Sequence, residues 1–231
     1  MPILQINKYI DDFGKFGFEK FLMNREIVLY TSTFITLFCS LGFLSASAAY
    51  TTDYSSLQHV SFGKSNYNGL TYYYGLQSQT VELSGVVTVL YYNSAACKNV
   101  ACHDCYNASN AAFGLALMSL FLSLLLIIIC ILRIYYEDVR LKLISVFIPI
   151  LVIVFGFAGF GDWNNICYNS IYTNLDKNIV LYQGFNVYVC ATVITFVVLF
   201  LNLTTPSFDP VAGVIELGER AHTVNDFSRG S

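Results

Sequence analysis

The sequence predicts an all-α transmembrane fold: a four-helix bundle with a small disulfide-stapled extracellular β-sheet in loop 1. Three observations carry this. The 231-residue chain is 55% hydrophobic and only 12% charged, about half the charged share of ordinary soluble domains. Four windows, 27–49, 111–132, 143–161 and 182–203, hold no Asp, Glu, Lys, Arg or His, and each is close to the roughly 20 apolar residues that cross a hydrocarbon layer. Between the first two windows lies a tyrosine-rich segment with the short alternating runs and glycine turns of β-structure.

Taken in order, residues 1–25 place Ile3, Ile6, Ile10, Phe13, Phe16 and Phe21 at helical spacing, with charged side chains between them. That pattern predicts an amphipathic segment in the cytoplasmic membrane interface, and the absence of a small-residue cleavage site argues against a signal peptide. Residues 26–203 form the membrane domain. In span 1, Ser32, Thr36 and Ser40 make a stripe suited to close helix packing. In the first outer loop, 50–110, Tyr54–Phe62, Leu70–Tyr74 and Val86–Tyr92 read as strands, punctuated by Gly63, Asn68-Gly69, Gly75 and Ser84-Gly85. Asn-Gly is a strong hairpin-turn pair, so three or four antiparallel strands are expected.

Span 2 opens on small residues, and the short link to span 3 predicts an antiparallel helical hairpin. Span 3 carries Pro149 and then Gly156, Gly159 and Gly161, which favour close contact with a neighbouring helix. In the second outer loop, 162–181, Trp163 reads as a membrane-interface anchor, as does Tyr182 at the start of span 4. The tail, 204–231, is polar, with at most a short helix at Val214–Ala221.

Orientation follows Lys and Arg near the membrane. Lys8, Lys15, Lys20 and Arg25 precede span 1, Arg133, Arg140 and Lys142 lie between spans 2 and 3, and Arg220 and Arg229 follow span 4. Both termini are therefore expected in the cytoplasm of a multi-pass protein of the plasma membrane or an endomembrane. Cys39, Cys130 and Cys190 fall within spans and read as packing residues. Cys97, Cys102, Cys105 and Cys167 all fall on the outer side, an even set that predicts two disulfides, with three connectivities open.

Cys102-His103-Asp104-Cys105 is the one motif with potential chemistry. A C-x-x-C can form a redox pair in which a helix start stabilises the thiolate, and a four-span bundle bearing such a pair resembles quinone-linked thiol oxidases and vitamin K epoxide reductases. The alternative is that all four outer cysteines are staples. Zinc ligation by Cys97, Cys102, His103 and Cys105 would crowd four ligands into nine residues. No catalytic residue, cofactor or metal is therefore assigned. Asn107-Ala108-Ser109 matches the N-glycosylation acceptor pattern. Spans without ionisable residues disfavour a coupled transporter, and the net charge of −3 gives nucleic-acid binding no support.

Two local features resemble a known family. Tyr74-Gly75-Leu76 is similar to a Gly-Leu-Trp motif, though no Trp follows, and Cys105 leads through Ala108, Ala111 and Ala112 into span 2. With four spans and a strand-built first loop, the chain resembles the claudin and peripheral myelin protein superfamily. That resemblance implies a non-enzymatic role in adhesion, barrier or scaffold assembly, or as an accessory subunit of a membrane complex. Partners would be membrane lipid, other copies of the chain, or other membrane proteins. Tyr72, Tyr73, Tyr74, Tyr91 and Tyr92 are the expected contact surface, because tyrosine joins large area to a polar tip. The alternatives are a thiol–disulfide oxidoreductase using Cys102 and Cys105, and a channel-forming oligomer.

Overall fold

The chain runs α1 (Arg25–Ala48), α2 (Tyr54–Val60), β1 (Gly63–Tyr67), β2 (Leu70–Tyr74), β3 (Ser78–Leu83), β4 (Val86–Tyr91), α3 (Val100–Tyr135), α4 (Val139–Asp162), a π-helical turn (Trp163–Tyr168), α5 (Asn169–Asn174), β5 (Val180–Leu181) and α6 (Gln183–Thr204). This computed structural model describes residues 24–205 apart from 68, 84, 85, 137 and 176. The expected interfacial segment at 1–25, all but its last two residues, and the short helix at 214–221 lie outside the described residues.

Helices α1, α3, α4 and α6 are each long and apolar enough to cross a membrane, as expected of an integral multi-pass membrane protein. They pack as a ring in which α3 touches α1 and α4, and α6 closes the circuit by touching both α1 and α4. Small and hydroxyl residues make the seams, because lipid gives no hydrophobic advantage to helix association and close approach must replace it. Ser32, Thr36 and Ser40 are buried, and the Thr36 and Ser40 hydroxyls donate to carbonyls one turn back. On α4, a Cβ added at Gly156 would collide with Thr192, and one at Gly159 with the Tyr188 hydroxyl. Those two glycines let α6 lie directly against α4. Gly161 has open space beside it and takes no part in the seam.

A five-stranded antiparallel sheet of order β4-β3-β2-β1-β5 sits at one end of the bundle, called here the sheet end. Tyr67 pairs with Leu70 across the β1–β2 turn, where Gly69 adopts φ +77, a conformation that glycine reaches without a Cβ penalty. β5 joins β1 through Gly63–Leu181 and Lys64–Val180. The second connecting segment is thereby sewn into the sheet built by the first.

Three expectations are corrected. Tyr54–Phe62 is not a strand: Tyr54–Val60 is helical. The Asp53 carboxylate accepts bonds from the Ser56 amide (2.9 Å) and the Ser55 and Ser56 hydroxyls, an N-cap that starts a helix, and Leu57 is fully buried. Helix α3 begins at Val100 rather than 111, so Cys102, Cys105 and Asn107 stand on a helix rather than in a loop. The segment after Asp162 continues as a π-turn and α5. Trp163 is therefore no interface anchor. It is fully buried, with ring centroids 5.3 Å from Phe62 and 5.9 Å from Phe185.

Candidate interaction surface at the sheet end

Two disulfides fix the sheet end, Cys97–Cys102 and Cys105–Cys167. The helical path after Asp162 carries the second. Trp163, Cys167 and Ile171, spaced four residues apart through the π-turn and α5, share one inward face, all buried. Cys167 thus reaches Cys105 on the extended start of α3. Beside the bridge, the Ser170 hydroxyl donates to the Asp104 carboxylate at 2.7 Å. The C-x-x-C cysteines are not bonded to each other; each belongs to a different bridge.

The tyrosines separate into two groups. Tyr73, Tyr74 and Tyr92 are buried at 8%, 3% and 5% exposure, and their place on an exposed contact surface is corrected. The Tyr92 hydroxyl donates to the Gly75 carbonyl at 3.2 Å, and burial, followed by the neighbouring Tyr74 phenol, pushes its pKa well above the ordinary tyrosine value. Tyr74 and Ser65 hydroxyls meet at 3.5 Å. Tyr73 packs edge-on against Tyr54, 5.7 Å between centroids, and the Lys64 amine lies 5.4 Å over its ring. Tyr72 is half-buried and Tyr91 is exposed. Tyr67, Tyr72 and Tyr74, with Gln79 and Leu175, line a cleft of about 180 Å³.

The motif Tyr74-Gly75-Leu76 joins the module to the bundle. The Leu76 amide donates to Ala49 at 2.8 Å, and a Cβ on Gly75 would press against Leu57 and the Ala49 carbonyl.

β4 is the sheet's outermost strand on one side, so one row of its backbone groups faces no described strand. Its sequence, VVTVLY, carries no charge. Val86, Val87 and Tyr91 are 66%, 43% and 39% exposed. Proteins ordinarily blunt such an edge with charge, proline, a bulge or a cover, since it offers a template for further pairing.

Asn107 is exposed on α3, whereas Ser109, the hydroxyl residue of its acceptor triplet, is fully buried. At the opposite end lies a polar cluster that the sequence reading did not assemble. The Arg133 guanidinium, 2% exposed, donates to the Ser145 hydroxyl at 2.6 Å and the Asn202 amide oxygen at 2.9 Å. Asn202 donates in turn to the Ser32 hydroxyl at 2.8 Å. One guanidinium and one amide thereby link all four long helices. Arg25 donates to the carbonyls of Arg133 and Tyr136, satisfying acceptors that the C-terminus of α3 leaves open. The available signals were Asn202, a strongly polar residue inside span 4, and Arg133 on the border of span 2.

Compared with known proteins, the chain matches no protein-family model and no curated relative.

Proposed function

We propose that this chain is a non-enzymatic membrane protein of adhesion, barrier or scaffold assemblies, engaging a neighbouring protein through the edge of its sheet. The observation that carries the reading is β4: an uncharged, valine-rich edge strand with exposed side chains. A strand added to such an edge gains main-chain hydrogen bonds, and side chains on alternating faces supply selectivity. In this reading Tyr91 stands on the contact strand itself, Tyr72 lies two strands away on β2, and Tyr73, Tyr74 and Tyr92 keep the sheet rigid behind it. The sheet end lies outside the cell or in a lumen and both termini are cytoplasmic. Disulfides belong in an oxidising compartment, and Arg25, Arg133, Arg140 and Lys142, gathered at the helix ends away from the sheet, point the same way. Kinship with the claudin and peripheral myelin protein superfamily, suggested by the Tyr74-Gly75-Leu76 and Cys105 motifs, is part of this proposal.

The test is Val87→Lys, which places a strongly hydrated charge beside the edge. In membranes cross-linked with a short amine- or thiol-independent reagent, the native chain should give higher-order species, and the variant should lose most of them while keeping its melting profile. Equal cross-linking of both chains would defeat the reading.

A further inference from the structure

The two bridges at the sheet end differ in their surroundings. Cys105 and Cys167 are both fully buried, and their bridge closes a separation of 62 residues. Cys97–Cys102 closes a separation of 5. Cys97 is half-buried, and Ala95, Ala96, Lys98, Asn99 and Val100 around it are exposed. The bridge borders a hollow of about 330 Å³ lined by Tyr92, Asn93, Ser94, Cys97, His103 and Tyr106. A small loop adds little chain-entropy stabilisation compared with a long one, and solvent-exposed bridges are typically the labile ones.

The two sulfurs of this bridge are also unequal. Cys102, 4% exposed, lies in the first turn of α3. The Asn99 cap makes no side-chain hydrogen bond to that turn, and the turn holds no acidic residue. The Cys102 amide donates to the Asn99 carbonyl at 3.0 Å, which leaves the positive end of the helix dipole to favour an anion here, as helix N-termini do for thiolates. Cys97, the less buried of the two, is the one a nucleophile can reach, and Cys102, at the helix start, is the better leaving group.

We infer that Cys97–Cys102 is a thiol-exchange site open to low-molecular-weight thiols, whereas Cys105–Cys167 is a permanent staple. An incoming thiolate attacks Cys97 Sγ, forming a mixed disulfide. The Cys97–Cys102 bond breaks, and its electron pair leaves on Cys102 Sγ at the start of α3. A second thiolate attacks the incoming group's sulfur and releases Cys97. Two thiols are oxidised to one external disulfide, the protein bridge gains two electrons, and the two protons end on Cys97 and Cys102. The partner of Cys102 in this chemistry is thus Cys97 and not Cys105. The exchange is independent of whether β4 pairs with a neighbour.

The experiment exposes the full chain in lipid nanodiscs to graded reduced glutathione, alkylates it with a maleimide, and quantifies each cysteine peptide by mass spectrometry. Labelling of Cys97 and Cys102 should run at least about tenfold ahead of Cys105 and Cys167, with circular dichroism unchanged. Simultaneous opening of both bridges, or labelling only under conditions that unfold the chain, would overturn the inference. In Cys97→Ser, the freed Cys102 should reach half-maximal alkylation at a pH below the ordinary free-thiol value of about 8.5. A midpoint at or above that value would also overturn it. If this variant fails to fold, the glutathione series on the native chain decides alone.

Discussion

The two ends of the bundle are held by different physics. At the sheet end, two disulfides and a ring cluster around Trp163 fix shape in contact with water. At the opposite end the described residues form no disulfide. Arg133, Asn202, Ser32 and Ser145 form a connected set of hydrogen bonds instead, out of reach of water. Hydrogen bonds to a charged group gain strength where water cannot compete, and covalent closure matters most where an unfolded loop would be long and free. One end should therefore respond to thiols, and the other to the loss of an acceptor.

The sharpest way to break the comparison is Cys105→Ala with Cys167→Ala. Opening a loop of 62 residues should cost about 4 kcal/mol on the chain-entropy model, against about 2 for the short Cys97–Cys102 loop. Denaturant-induced unfolding of purified protein would measure both, and equal losses would dissolve the distinction between staple and local loop. Next is Asn202→Leu, which takes one acceptor from Arg133 and one donor from Ser32. A loss of about 2 kcal/mol is expected, as for a bond to a charged group, and it should be the same with and without reductant. A loss that grows on reduction would show that the ends are coupled.

The smallest effect concerns Asp53. Hydroxyl and amide bonds from Ser55 and Ser56 hold its carboxyl below the ordinary carboxylate range. A carboxyl depressed on folding contributes stability that is present above its unfolded pKa and fades as pH falls through its lowered folded value. Protection of the 54–60 amides, taken relative to their intrinsic exchange rates, should accordingly fall at acid pH, and Asp53→Asn should flatten that dependence.

The frame was legible because membrane insertion leaves a coarse signature: runs of about 20 apolar residues without charge. The sheet was legible where β-branched and aromatic residues coincided with turns, as at Leu70–Tyr74 and Val86–Tyr91. It failed at Tyr54–Val60, where a single capping aspartate outweighed an imperfect alternation. It failed again at Val100–Asn110, where polar residues disguised the first turns of a 36-residue helix. The even set of four cysteines announced two bridges, but pairing depends on the helix after Asp162 that carries Cys167 to Cys105, in a stretch that read as a loop. The tyrosines were read as surface because tyrosine suits surfaces. In a small module, three of the five are needed as its core.

The last strand of the sheet is also the last to be made. β1 to β4 are complete at Tyr91, yet β5 and Cys167 arrive much later in the chain. At the usual pace of about 5–20 residues per second, the ribosome needs several seconds to span the roughly ninety residues between Tyr91 and Val180. Throughout that interval β1 lacks its outer neighbour, and for the 62 residues from Cys105 to Cys167 the former has two nearer cysteines beside it and its own partner is still unmade. Cys97 and Cys102, close in sequence, can join first and so remove the two nearest wrong partners.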